Sequence, residues 1–240
     1  MSSFFQYFSV RINELFVRIF MCLILMQISA TANAQFVGTL DLKPMNCEAT
    51  GKCVLTFDLK YIDPSGIEWM ASALNKTDGA SIPAWAQPIV GKPFDVTFIR
   101  AAVIHDHYCD RHVRPWRQTH RVFYDALRES GVPEWKAKAM YYAVYVGGPK
   151  WVTLVAGHPC GGPTCINTVG FGDSVLKIQS ADYGTPKLTA DLAELKYLLE
   201  QNAQAFTLEE LERRAQQRNP DSFFYSRGDI VQVKELLLTE

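Results

Sequence analysis

The chain has 240 residues, with 24 Lys and Arg against 25 Asp and Glu and a net charge of −1. A balance this close to zero provides no electrostatic footprint for nucleic acid, so a nucleic-acid partner is not expected. The length suits one core with an extension, or two small domains.

Residues 1–34 have the order of a secretory signal peptide. Arg11 and Arg18 face a single Glu14, the uncharged run "IFMCLILMQI" follows, and "SATANA" puts Ala32 and Ala34 at the small positions of a cleavage site. The apolar run is about half of the roughly 20 residues that a membrane-spanning helix needs. An uncleaved anchor is the alternative. Cleavage after Ala34 leaves 206 residues and removes two cations and one anion, for a net charge of −2. The mature protein is expected to be exported, periplasmic or secreted, and not membrane-spanning.

Export sets the default for the cysteines, because disulfides persist in oxidising compartments. "CEATGKC" and "CGGPTC" each hold two cysteines around a glycine-containing turn, so Cys47–Cys53 and Cys160–Cys165 are the simplest pairs. Cys109 is left over. Spacing alone does not fix this connectivity.

Residues 53–70 read as a β-hairpin. Val54, Thr56, Asp58 and Lys60 alternate with Leu55, Phe57, Leu59 and Tyr61, and "DPSG" supplies the turn. Residues 74–95 are a loop punctuated by Gly79, Pro83, Pro88, Gly91 and Pro93. Three helices follow. Asp95 or Thr97 caps the first, which runs to about His112 and places Phe98, Ala102, His105 and Cys109 on one face. On the same helix His107, Asp110 and Arg111 are expected to point to solvent. The second helix spans about Arg117 to Ser130 and ends at Gly131, with His120 one turn before the stripe of Phe123, Tyr124 and Leu127. Pro133 opens the third, which Gly147 and Gly148 end. A Gly-, Pro- and Thr-rich linker is expected over 157–187. The amphipathic stretch 188–218 follows, with Thr207 as an N-cap and an apolar face suited to packing or to a protein partner. The expected fold is α+β: a small N-terminal hairpin or sheet on a three-helix core over 35–156, and a helical C-terminal extension over 188–240.

His105 and His120 therefore face each other on consecutive antiparallel helices, with Asp106 about 100° round from His105. Two imidazoles so placed can share a hydrogen bond, a water or a metal ion. A core-edge ring satisfied by a backbone carbonyl is the plain alternative for either alone.

The stretches "TDGASIP" (77–83) and "RAAVIHDHYC" (100–109), with Arg117, His120 and Phe123, then "GV" and "MYYAVYVGG", resemble the domain-of-unknown-function family numbered 1353. That family occurs in phage and proteobacterial genomes, and the resemblance covers roughly residues 54–151. It implies that Asp78, Ser81, His105 and Asp106 are signature positions, and it supplies no activity. His120 stands where an aspartate is usual, and Cys109 where an aromatic residue is common. Histidine keeps a ligand or proton acceptor there, as zinc accepts both types, and disfavours a hard calcium site.

Two functions stand. One is a hydrolase acting on a cell-envelope substrate, with His105 as general base or metal ligand, Asp106 and His120 as ligands or proton partners, and Asp78 orienting His105. Its metal set would be His105, Asp106 and His120, with a divalent ion such as zinc as the cofactor. Thr77 and Ser81 are candidate binding residues in the same loop. The His-Asp pair is also similar to the H-D-x-C-Y helix of phospholipase A2, although here tyrosine precedes cysteine and no glycine-rich calcium loop comes before the helix. Cys109 as a nucleophile would require a reduced thiol. The other function is a non-enzymatic envelope or phage-assembly module with the same residues as a buried polar network.

Overall fold

The computed structural model describes residues 34–80, 82, 83, 86, 87, 91–156 and 174–233. Residues 1–33 of the expected signal peptide, Ser81, and the Cys160–Cys165 pair lie outside the described residues. Six short strands come first: β1 (Gln35–Val37), β2 (Leu42–Lys43), β3 (Cys53–Leu55), β4 (Leu59–Ile62), β5 (Glu68–Ala71) and β6 (Lys76–Thr77). They form two antiparallel sheets, in the orders β1-β4-β5 and β2-β3-β6. A disulfide joins Cys47 to Cys53, with Cα atoms 5.1 Å apart, and closes the loop that leads into β3.

The turn expected at "DPSG" joins β4 to β5, and Asp63 builds it. Its Oδ1 accepts from the backbone N–H groups of Ser65 and Ile67, each at 2.9 Å, and from the Ser65 hydroxyl at 2.6 Å. Its Oδ2 accepts from Trp69 Nε1 at 2.9 Å. Gly66 completes the turn at φ 84°, where glycine pays no Cβ penalty.

The first half of the expected hairpin is corrected. β4 pairs with β5 only from Leu59, opposite Ala71, while β3 pairs with β2 and β6. Phe57, expected on the buried side, is 61% exposed. The chain changes sheets at this point: Thr56 N–H donates to the Asp41 carbonyl, and Asp58 Oδ1 accepts from Ala73 N–H. Local alternation does not report a change of partner.

Three helices then follow as expected: α1 (Ile99–Arg111), α2 (Trp116–Glu129) and α3 (Glu134–Gly147). Asp95 opens α1. Its carboxylate accepts from the Thr97 N–H and hydroxyl, and its carbonyl accepts from Ile99 N–H. His112 at φ 55° turns the chain back into α2, and Gly131 at φ 80° follows the end of α2 and opens the connection to α3. Leu55, Leu59, Tyr61, Trp69, Phe98 and Ile104 lie in the core between the N-terminal sheets and α1–α2.

Beyond α3 the structure adds a third sheet that the sequence pattern did not announce. Its strands are β7 (Lys150–Ala156), β8 (Ser174–Gln179) and β9 (Ile230–Val233), in the order β8-β7-β9. β7 runs antiparallel to β8 and parallel to β9. The expected linker over 157–187 thus contains strand β8. Between β8 and β9 lie α4 (Pro186–Asn202), α5 (Leu208–Arg218) and the short α6 (Phe223–Ser226). Thr207 caps α5 in a reciprocal capping box with Glu210. Leu188, Leu195, Leu199 and Leu211 pack with Tyr141 and Tyr145 of α3 in a second core, so the apolar stripe of 188–218 is buried within the chain. The protein is α+β. Among the described residues no helix is long and apolar enough to cross a membrane.

Asp125 on α2 has its carboxyl raised to about 6, first by burial and then by the nearby charge of Asp63, with Arg121 opposing. A carboxyl raised in the folded state holds its proton there more tightly than in the unfolded chain, so stability is lost as pH rises from about 4 through 6. Asp125→Asn is expected to be about 1–2 kcal/mol more stable than the parent at about pH 8, allowing for partial exposure, and equal to it at about pH 3.5. Urea unfolding at both pH values checks this, and a pH-independent difference would contradict it.

Candidate functional site

α1 and α2 bring two imidazoles together where the two cores meet. His105 shares its face with Phe98, Ala102 and Cys109, and its side chain is 8% exposed. His120, on α2, is fully buried. His105 Nε2 lies 2.8 Å from His120 Nδ1, and His120 Nε2 lies 3.1 Å from the carbonyl oxygen of Pro149. The glycine pair that ends α3 permits this approach. A Cβ at position 148 would stand 2.2 Å from the Val144 oxygen and 3.1 Å from His120 Cε1. Buried Lys150 donates to the carbonyls of Val146 and Gly148, which satisfies the end of α3 and leaves the Pro149 carbonyl to His120.

This chain of contacts fixes the proton positions. A carbonyl only accepts, so His120 carries its proton on Nε2. Burial, followed by the proximity of His105 and Lys150, holds His120 well below the usual histidine range, so the ring is neutral and its Nδ1 is a bare acceptor. His105 must then donate from Nε2. Burial lowers His105 to about 3, so it too is neutral, and its Nδ1 has no proton. That bare nitrogen lies 4.0 Å from Asp106 Oδ1.

Asp106 is held from the other side by the loop that carries the T-D-G-A-S-I-P stretch. Thr77 Oγ1 donates to Asp106 Oδ2 at 2.7 Å and accepts from Gly79 N–H at 3.1 Å. Gly79 sits at φ 82°, and a Cβ there would come within 2.6 Å of the Pro93 oxygen, so this turn excludes a side chain. Burial pushes the Asp106 carboxyl well above its ordinary value, opposed by the Thr77 hydrogen bond and aided by the charges of Asp78 and Asp110. Burial thus favours the protonated carboxylic acid at Asp106, beside an imidazole that burial keeps neutral.

His105, Asp106 and Cys109 form one wall of a cavity of about 860 Å³. The rest of the lining is largely apolar, including Ala80, Ile82, Phe123, Met140, Val144 and Leu192. Tyr183 closes one side. Its segment is tied to α3 by the Asp182 N–H bond to the Gly147 carbonyl at 2.7 Å, and it packs so tightly that a Cβ at Gly147 would lie 2.7 Å from the Tyr183 ring. Cys109 is a free thiol with Sγ 3.4 Å from His105 Nε2. Burial, then Asp106 and Asp110, raises its pKa well above the usual thiol value, so it is a protonated thiol and not a ready nucleophile.

Several expected placements change. Asp78 reaches the cavity lining but is exposed, and among the described residues His120, not Asp78, is the side chain that orients His105. The turn at Gly79 directs Thr77 inward and Asp78 outward. Asp106 does not belong to the set of converging ligand atoms: those within 4.8 Å of one another come from His105, Cys109 and His120. His107, expected in solvent, is buried under β5 and accepts from Ser72 N–H. The Pro149 carbonyl, Cys109 as a third donor atom and Tyr183 were absent from the expected site. Only the i, i+4 spacing of His105 and Cys109 pointed to any of them.

The family model described as Protein of unknown function (DUF1353) matches residues 53–144. The chain is similar to Uncharacterized protein y4iH of Sinorhizobium fredii (strain NBRC 101917 / NGR234), 42% identical over 188 residues that cover 77% of this chain and 78% of that protein. The chain belongs to the DUF1353 family. Uncharacterized protein y4jT of the same organism is 36% identical over 169 residues, covering 65% of this chain and 50% of that protein. No solved structure matches. The DUF1353 match runs from β3 into α3, so it includes Thr77, Asp78, His105, Asp106 and His120 and leaves the third sheet outside it.

Proposed function

We propose that this DUF1353 protein is an exported hydrolase that cleaves acyl esters, with His105 as general base and Asp106 as general acid. The observation that carries this reading is the relay from the Pro149 carbonyl through His120 to His105, which leaves Nδ1 of a neutral imidazole without a proton, 3.9 Å from Cys109 Sγ, on a residue that lines the cavity. Two neighbouring groups whose surroundings keep one a base and the other an acid suit paired acid–base chemistry.

In the proposed reaction a water at His105 Nδ1 attacks the ester carbonyl and gives its proton to that nitrogen. The tetrahedral intermediate collapses, the carbon–oxygen bond breaks, and the proton of Asp106 goes to the departing alkoxide. His105 then returns its proton to Asp106 through water, and carboxylic acid and alcohol leave. Thr77 occupies Oδ2 of Asp106, so Oδ1, the oxygen nearer His105, is the one placed to carry the proton. His120 is a positioning residue.

Among envelope substrates, the apolar lining favours an acyl chain over a sugar, whose hydroxyls would lack partners there. Export is supported by the basic–apolar–small order of residues 1–34 and by the Cys47–Cys53 disulfide. The test is hydrolysis of p-nitrophenyl esters from acetate to decanoate by residues 35–240. The expected result is turnover whose kcat/KM rises with chain length. No turnover of any ester would remove the acyl-hydrolase reading in favour of the non-enzymatic module.

A further inference from the structure

The edge of His105 that meets His120 also meets a sulfur. Cys109 Sγ is 3.4 Å from His105 Nε2, His120 Nδ1 is 2.8 Å from the same nitrogen, and one ligand atom from each of the three residues lies within 4.8 Å of the other two. We propose that His105 Nε2, His120 Nδ1 and Cys109 Sγ bind one thiophilic divalent ion of the zinc class, and that its binding switches hydrolysis off. The switching clause rests on His105 Nδ1 being the base; the metal site does not.

The distances fit. Tetrahedral zinc with Zn–N near 2.0–2.1 Å and Zn–S near 2.3 Å sets N···S at about 3.5 Å and N···N at about 3.3 Å. Cys109 Sγ already stands at that distance from His105 Nε2, the two rings need to separate by about 0.5 Å, and the sulfur, within 4.8 Å of the His120 ligand atom, closes on it as the ion binds. His120 also has the hydrogen-bonded oxygen behind it that metal-bound histidines have, and His105 has a carboxyl group nearby. Pro149 O lies 3.1 Å from the far nitrogen of His120, and Asp106 Oδ1 lies 4.0 Å from the far nitrogen of His105. His105 and Cys109 line the cavity, so a water can take the fourth position. One thiolate and two imidazoles select zinc-class ions over calcium or magnesium, which require oxygen ligands.

The proton balance connects the metal to the chemistry. On binding, the thiol proton leaves to solvent and sulfur becomes the thiolate ligand. His105 gives up its Nε2 site to the metal, so its single proton resides on Nδ1, next to Asp106. The nitrogen that was bare is then protonated and no longer accepts a proton from water. The hydrogen-bonded and metal-bound sites are alternatives built from the same atoms.

Cobalt(II) titrated into residues 35–240 tests the site, since a cobalt–thiolate bond gives a charge-transfer absorption in the near ultraviolet. The expected result is one cobalt per chain with that band, displaced by zinc. Cys109→Ala should lose the band, and both it and His120→Ala should weaken zinc binding by more than about 100-fold. Circular dichroism of each metal-free variant checks folding, and the wild-type band is decisive if either fails to fold. No band in wild type, or an unchanged band in Cys109→Ala, overturns the metal site. Zinc at saturation should also abolish ester turnover. Undiminished turnover with zinc bound overturns the switch, whereas a cobalt band without any esterase activity upholds the site and refutes the hydrolase reading.

Discussion

His105→Ala is expected to lower kcat/KM for acyl-ester hydrolysis by roughly 10²–10⁴-fold, the usual contribution of a positioned general base. The ring does little structural work that an isosteric amide cannot share. It packs 4.7 Å from the Phe123 ring and donates one hydrogen bond, to His120. His105→Gln keeps most of that volume and a donor while removing the basic nitrogen. Both variants should be inactive, and His105→Gln should unfold in urea close to wild type, within about 1.5 kcal/mol. Activity retained in a folded His105→Gln would rule out the imidazole as base. Asp106→Asn removes the proton that goes to the departing alkoxide, so it should reduce turnover by a comparable factor in spite of preserving the Thr77 contact.

His120→Ala is the second large effect, and it acts on kcat and stability together. Removing the ring leaves the His105 Nε2–H and the Pro149 carbonyl without their partners in a buried setting. It also opens a void beside Trp116, whose ring lies 5.6 Å from the imidazole. A loss of about 3–4 kcal/mol in urea unfolding is expected. In the folded fraction His105 is free to exchange tautomers, so kcat should fall by roughly tenfold or more with little change in KM, the pattern of a positioning residue. His120→Asp supplies a distinguishing control. A carboxylate at that position accepts from His105 Nε2–H as His120 does, holds the same tautomer, and favours the protonated imidazole. It should recover kcat relative to alanine and move the acidic limb of the pH–rate profile upward. A carboxylate variant no better than alanine, with an unmoved profile, would reduce His120 to a packing role.

Much of this site was legible because helices write their faces into sequence. The steps of four, three and four from Phe98 to Cys109 placed His105 and Cys109 on one side of α1, and the short connection to α2 made the helices antiparallel, so the His105–His120 meeting followed. Thr207 and Gly131 announced their caps in the same way. Contacts between distant segments were not legible. β7 pairs with β9 at Thr153 and Ile230, residues far apart in the chain with no local pattern to match them. His107 looked solvent-facing from helical geometry alone because nothing local shows that β5 covers that side of α1. Thr77 and Asp78 are adjacent, and only the left-handed turn at Gly79 decides which one reaches Asp106. The Pro149 carbonyl has no side-chain signature at all, yet it fixes both imidazole tautomers.

The most direct test of the relay is the ¹⁵N–¹H correlation spectrum of the imidazoles in labelled, metal-free protein at about pH 7, where an unperturbed histidine would be partly protonated. The expected result is that His105 and His120 are both neutral, each protonated on Nε2 and bare on Nδ1. A His105 signal from the Nδ1–H tautomer or from an imidazolium would contradict it.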